Sequence, residues 1–205
     1  MDFPGRRHAI LAALALLAFV LLAAAVVAGR TMPFDLAIRS GIHNVAASPL
    51  TTAMTIVTFF GSLRWIVLAA IAAFFLLRGD GHPRHAWALA IVMLGSIPME
   101  TGLKLLVRRE RPAAFFSVVE PETYSFPSGH ALFSTSLYGT LGYVSARLCK
   151  RRARSVLILL SAMSSIALIC LSRVYLGVHY PTDVAGGVLI ACFWMNAVLM
   201  FAKLR

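Results

Sequence analysis

Three short segments in the C-terminal half of the chain carry residues able to act on a phosphate group. The first runs from Lys104 to Arg111-Pro112, the second is Pro127-Ser128-Gly129-His130, and the third opens with Ser172-Arg173 and carries His179 and Asp183. Arginine matches phosphate oxygens with two parallel N–H bonds, and lysine meets them as a point charge. Pro-Ser-Gly is a turn leading into a helix start. Free backbone N–H groups and the positive dipole end make such a start an anion cradle, and Gly129 lets a ligand approach the backbone closely. His179 and Asp183 are four apart, so they share a face if that stretch is helical. An aspartate holding one ring nitrogen fixes the histidine tautomer and aims the other nitrogen.

Each segment also has a plain structural reading. A lysine at a helix end can snorkel to the membrane interface, Arg111-Pro112 is an ordinary way into a turn, and Pro-Ser-Gly is a common cap. The His179–Asp183 pair can simply cap the last helix. Their combination separates the readings. Like charges repel, so gathering Lys104, Arg111 and Arg173 on one surface brings no structural gain, whereas a dianionic phosphate resolves that repulsion. Glu100 stands one helical turn before Lys104, in the favoured order for an ion pair, and is expected to support it.

The elements that must position these residues read as membrane helices. Of 205 residues 60% are hydrophobic and 13% charged, against about half apolar and a quarter charged in soluble domains. The bilayer is the expected solvent and 1–205 the expected single domain. A spanning helix needs about 20 apolar residues. The runs are about Ala9–Ala28, Leu63–Leu77, Ala86–Val107, Ala131–Leu148, Val156–Leu171 and Val184–Ala202. The expected fold is all-α, with six transmembrane helices in one bundle.

Gly61 and Arg64 interrupt the apolar stretch from Thr51 to Leu77, so the second span is placed from Leu63 and the preceding segment along the interface. Ser161, Ser164 and Ser165 are expected to pack helices, since small residues line membrane helix interfaces. The first apolar run is longer than a signal-peptide core, although Val26-Val27-Ala28 resembles a cleavage site.

Lys and Arg are more numerous in the loops on the N-terminal side of the membrane, which puts both termini in the cytoplasm and the three segments outside. The same effect accounts for most of the net charge of +11. The basic residues show neither the aromatic interleaving nor the motifs of a nucleic-acid surface. Cys149, Cys170 and Cys192 follow no metal-ligand spacing, and an odd count gives no disulfide framework. Nothing in the sequence indicates an oligomeric state.

The three segments resemble the signature of the type 2 phosphatidic acid phosphatase superfamily: Lys, six residues, Arg-Pro; then Pro-Ser-Gly-His; then Ser-Arg, five residues, His, three residues, Asp. All three match without substitution and in order, from Lys104 to Asp183. Arg109 and Gly177 also stand at familiar positions. The resemblance implies that His179 is a nucleophile forming a phosphohistidine, that Asp183 orients it, and that His130 is the general acid. It assigns the phosphoryl oxygens to Lys104, Arg111, Ser128, Gly129 and Arg173. It implies no metal or cofactor, and a membrane lipid phosphate or diphosphate as substrate: undecaprenyl diphosphate, phosphatidylglycerol phosphate or phosphatidate. The expected location is a bacterial inner membrane with the site facing outward. Vanadate-dependent haloperoxidases share the motifs but are soluble. A non-catalytic lipid-binding or lipid-transporting protein would need only the cations.

Overall fold

The computed structural model describes residues 4–116 and 123–202. Its helices are α1 (Pro4–Val27), α2 (Met32–Asn44), α3 (Ser48–Phe59), α4 (Leu63–Gly79), α5 (Pro83–Val107), α6 (Gly129–Ser134), α7 (Thr140–Leu148), α8 (Arg152–Tyr175) and α9 (Pro181–Phe201), with a π-helical turn over Thr135–Gly139 between α6 and α7. Among the described residues there is no strand. Proline stands in the first turn of α2, α3, α5 and α9, where its missing N–H would have had no helical partner.

α1 packs along α9 more extensively than any other pair of elements. The two run antiparallel: His8 near the start of α1 bonds Asn196 near the end of α9. Phe19, Ile66, Leu89, Leu132, Leu137 and Ile190 form the main core. Outside it, large apolar side chains face outward along whole helices; Leu14, Leu17 and Leu21 of α1 are each more than half exposed. A water-soluble protein rarely leaves so broad an apolar surface open, and in a bilayer that surface is solvated by lipid chains. The chain is an integral membrane protein.

Four helices (α1, α5, α8 and α9) are individually long and apolar enough to cross a membrane, and α3 with α4, bent by 48°, makes a fifth if the pair counts as one span. α4 begins at Leu63, where the sequence placed its start. The run expected as the fourth span, about Ala131 to Leu148, is three short consecutive pieces: α6, the π turn and α7. A π turn inserts one residue into the helical ladder and commonly sits near functional sites. Two serines of the expected helix-packing group, Ser161 and Ser164, are exposed on α8, and the Ser165 hydroxyl bonds the Ser161 carbonyl at 2.9 Å. The Ser165 hydroxyl is thus satisfied within its own helix and needs no neighbouring one.

The C-terminal ends of α1, α5 and α8 and the N-terminal ends of α6 and α9 meet at one end of the bundle, and the three sequence segments lie there. Gly186 and Gly187 set how closely α9 approaches. A Cβ at 186 would lie 2.5 Å from the Phe126 ring, and one at 187 would lie 2.6 Å from the Ser128 carbonyl. The Ser128 N–H then bonds the Asp183 carbonyl at 3.0 Å.

Candidate active site

Lys104 lies in the last turn of α5 and is 8% exposed. Its Nζ is 2.7 Å from Glu100 Oε1, the expected i,i+4 pair. It also donates to Thr123 Oγ1 at 3.3 Å. Glu100 faces Gly129: a Cβ there would lie 2.9 Å from Glu100 Oε1. The glycine at the head of α6 therefore leaves room for the carboxylate that holds the lysine.

α5 ends at Arg108 in the left-handed region, φ 51°, and the chain turns inward. Arg111 donates from Nε to the Thr123 carbonyl at 2.6 Å and from Nη2 to Thr123 Oγ1 at 2.9 Å. Its Nη1 meets the Val178 carbonyl at 3.1 Å and His179 Nε2 at 3.2 Å. Lys104 and Arg111 thus converge on one threonine hydroxyl. They also line an open cleft of about 590 Å³ with Glu100, Glu110 and Tyr124.

His179 precedes α9, and Asp183 occupies its third position. The condition for a shared helical face, a helix running through both, is not met, because the helix starts only at Pro181. Asp183 instead reaches back past the helix start, where its Oδ2 accepts from the Tyr180 N–H at 2.8 Å. The same oxygen accepts from Ser125 Oγ at 2.5 Å and lies 3.4 Å from His179 Nδ1. Asp183 Oδ1 takes Arg109 Nη1 at 2.6 Å. The carboxylate caps the helix and faces the histidine with one set of contacts.

These contacts fix the state of His179. A guanidinium can only donate, so the ring nitrogen it meets, Nε2, is the unprotonated one. The proton is on Nδ1, toward Asp183. Burial lowers the His179 pKa to about 4, with Arg173 and Arg111 adding to the fall and Asp183 opposing it. The ring is neutral near pH 7, with its lone pair directed at a cation. For Arg109, burial opposes the charge, but the Asp183 and Asp35 carboxylates more than offset it and raise the pKa.

Arg173, at the end of α8, is 7% exposed and donates from Nη1 to Thr58 Oγ1 of α3 at 2.6 Å. His130 lies against the α3–α4 turn, and a Cβ at Gly61 would sit 3.0 Å from its Cδ2. Arg173, His179, Lys104 and Arg111 all lie within electrostatic range of His130. The Ser128 hydroxyl, at the head of α6, is fully buried and has no hydrogen-bond partner among the described residues. Every residue singled out from the sequence for phosphate chemistry therefore comes to this end of the bundle.

Sequence reasoning passed over Asp35, Arg39, Thr58, Thr123 and Ser125. Arg39 donates to the Ala113 and Gly177 carbonyls at 2.7 and 3.1 Å and stacks 4.6 Å from the Phe115 ring centroid, bracing the loop that carries Arg111. For Asp35 and Arg39 the available signal was two charges flanking an otherwise apolar stretch between the first two spans. Among the described residues no three His, Cys, Asp or Glu side chains group as metal ligands.

Residues 85–205 match the PAP2 superfamily. The chain belongs to that superfamily. It is 30% identical over 179 residues to phosphatidylglycerophosphatase B of Bacillus subtilis, covering 82% of this chain and 83% of the relative. It is 36% identical over 127 residues to decaprenylphosphoryl-5-phosphoribose phosphatase of Mycobacterium tuberculosis, covering 60% and 63%. The crystal structure of a transmembrane PAP2 type phosphatidylglycerolphosphate phosphatase from Bacillus subtilis superposes with a TM-score of 0.81 at 26% identity, over 93% of this chain and 95% of that one. The protein is thus a membrane phosphatase of the PAP2 family. The segments of the opening resemblance all fall inside the matched residues, whereas Asp35, Arg39 and Thr58 fall outside them.

Proposed function

We propose that the chain hydrolyses a phosphate or diphosphate group on a membrane lipid through a phosphohistidine on His179. The observation that carries this reading is the pair of contacts on that ring: Asp183 facing Nδ1, and the Arg111 guanidinium 3.2 Å from Nε2. Arg111 occupies the place where phosphorus would sit for attack. An arriving phosphoryl group takes over the guanidinium and presents phosphorus to the same lone pair.

Nε2 then bonds to phosphorus as the bond to the lipid oxygen breaks. An alkoxide is a poor leaving group, and His130, protonated once the bound phosphate dianion offsets the surrounding cations, delivers a proton to it. In the second step water attacks the phosphohistidine, His130 takes a proton from that water, and His179 is released with inorganic phosphate. Phosphoryl transfer spreads charge over three equatorial oxygens, so fixed cations carry much of the catalysis. Lys104, Arg111 and Arg173 are assigned to those oxygens, with the Ser128 hydroxyl and the Gly129 N–H.

A lipid substrate is supported by an apolar groove of about 360 Å³ between α4 and α5. Leu63 and Phe133, near His130, stand toward one end, and Phe74 and Trp87 toward the other. A hydrocarbon tail lying there would leave its head group at the cations. The named activities of the two relatives make a phosphorylated lipid head group the preferred substrate class. We assign six crossings, counting the bent α3–α4 pair as one and α6 through α7 as another. Both termini then face the cytoplasm of a bacterial inner membrane and the site faces outward. Purified protein offered phosphatidylglycerol phosphate, phosphatidate and undecaprenyl diphosphate should release phosphate from at least one. His179→Ala should remove that release while the protein stays folded, and residual turnover above a trace would exclude His179 as nucleophile.

A further inference from the structure

We propose that Asp35 is a positioning residue for His179, acting through Arg109 and Asp183. The inference rests on the reading of His179 as nucleophile and extends the site to α2, outside the residues that define the family match. Asp35 lies in the first turn of α2 and is 0% exposed. Its Oδ1 accepts from the Thr182 N–H at 3.0 Å, and its Oδ2 accepts from Thr182 Oγ1 at 2.7 Å. Arg109 Nη2 reaches the same Oδ2 at 2.6 Å, while Arg109 Nη1 reaches Asp183 Oδ1, also at 2.6 Å. One guanidinium therefore joins two buried carboxylates, and the second of them faces the His179 ring.

A buried carboxylate is costly unless paired, and an arginine beside Asp183 alone would already form a neutral pair. Adding Asp35 changes the sum. The row Asp35–Arg109–Asp183 carries one net negative charge, and its open end is directed at His179 Nδ1. That charge has use in the reaction. When Nε2 bonds to phosphorus and Nδ1 keeps its proton, the ring becomes cationic, and a nearby negative charge lowers the energy of that state. Without Asp35 the Arg109 charge falls wholly on Asp183 and the row becomes neutral. Thr182 fixes the geometry: it donates to Asp35, and its hydroxyl also takes Arg109 Nη1 at 2.8 Å. The cationic ring exists only after substrate has bound, so the contribution should appear in kcat.

The experiment uses the full chain in detergent with whichever lipid phosphate in the panel above wild type turns over fastest. Asp35→Asn keeps the shape and removes the charge. We expect kcat to fall about 10- to 100-fold, by analogy with the loss of a hydrogen-bond partner behind a metal-bound histidine. KM should stay within about twofold, since no phosphate ligand is touched. Because Asp35 acts through Arg109, Asp35→Asn should add no further loss in an Arg109→Gln background, a non-additivity that marks coupled residues. A near-normal kcat, a loss confined to KM, or fully additive losses would overturn the inference. If Asp35→Asn does not fold, as judged by gel filtration and thermal unfolding, Thr182→Val loosens the same link and should lower kcat in the same way; a normal kcat there is equally fatal. Active wild type with inactive His179→Ala and unaffected Asp35→Asn would overturn this inference alone. Phosphate release that survives His179→Ala would overturn the reading of the site along with it.

Discussion

Replacing Asp183 by asparagine perturbs the site with almost no change in volume, and the structure determines what must go wrong. Oδ2 accepts from the Tyr180 N–H, from Ser125 Oγ and from the side of His179 Nδ1, while Oδ1 accepts from Arg109. An asparagine has one acceptor and one donor group at these places. If its oxygen replaces Oδ1, its NH₂ confronts the Tyr180 N–H and favours the His179 tautomer with the proton on Nε2. That removes the lone pair needed for attack and points an N–H at the Arg111 guanidinium. If the amide flips, its NH₂ confronts Arg109 instead, and a buried arginine loses a carboxylate. A hydrogen bond to a charged group is worth about 1.5–3 kcal/mol. The tautomer error alone costs a Ser-His-Asp triad about 10⁴-fold. We therefore expect kcat for lipid phosphate hydrolysis to drop about 10³- to 10⁴-fold, or about 4–5 kcal/mol at 1.36 kcal/mol per factor of ten. The assay is phosphate release by purified protein in detergent, beside a thermal unfolding scan showing that the variant is folded. A loss smaller than about tenfold in folded protein would refute the argument that Asp183 sets the tautomer.

Because burial and two arginines lower the His179 pKa to about 4, its ring should remain neutral in an NMR titration of ¹³C-labelled histidines well below pH 6.5; protonation near 6.5 would contradict the buried geometry. The unfolded chain takes up this proton first as pH falls, so the group's effect is to make stability decline from about pH 6.5 toward 4. Gly187→Val should lower the unfolding temperature, because its Cβ would sit 2.6 Å from the Ser128 carbonyl and 2.9 Å from Ala131 Cβ; overpacking of this kind costs about 1–3 kcal/mol. An unchanged melting curve would mean that α6 and α9 are not so closely apposed. His130→Ala should slow a lipid monophosphate about 10²- to 10⁴-fold, the usual worth of general acid–base catalysis. A diphosphate should suffer less, because its leaving group is the stabler anion, and equal losses would remove His130 as the acid.

The sequence and the structure agree where the signal is local or chemically singular. Lys104, Arg111, His130, Arg173, His179 and Asp183 stood out because their types are out of place in so apolar a chain, and Ser128 and Gly129 because they form a turn directly before an apolar helix. The Glu100–Lys104 pair followed from a four-residue spacing, and the fold class from the long apolar runs. Asp35 was hidden for a different reason: its partners, Arg109 and Thr182, lie 74 and 147 residues away along the chain, and no spacing rule reaches that far. Arg39 was concealed in the same way, as was Thr58, which meets Arg173 across 115 residues. The run expected as the fourth span escaped a clean reading because its apolar residues are interleaved with Ser134, Thr135, Ser136 and Thr140, and a π turn falls among them. The contacts of Asp183 were half legible. The i,i+4 spacing from His179 identified the partner correctly, but the geometry comes from a helix cap rather than a shared helical face.

The most direct test of the central claim is to capture the covalent intermediate. Wild-type protein mixed with ³²P-labelled lipid substrate and quenched rapidly in alkali, where phosphohistidine survives, should carry label that peptide mass spectrometry places on His179. Label on any other residue, or no label under conditions where the chemical step forms the intermediate faster than water removes it, would contradict the account.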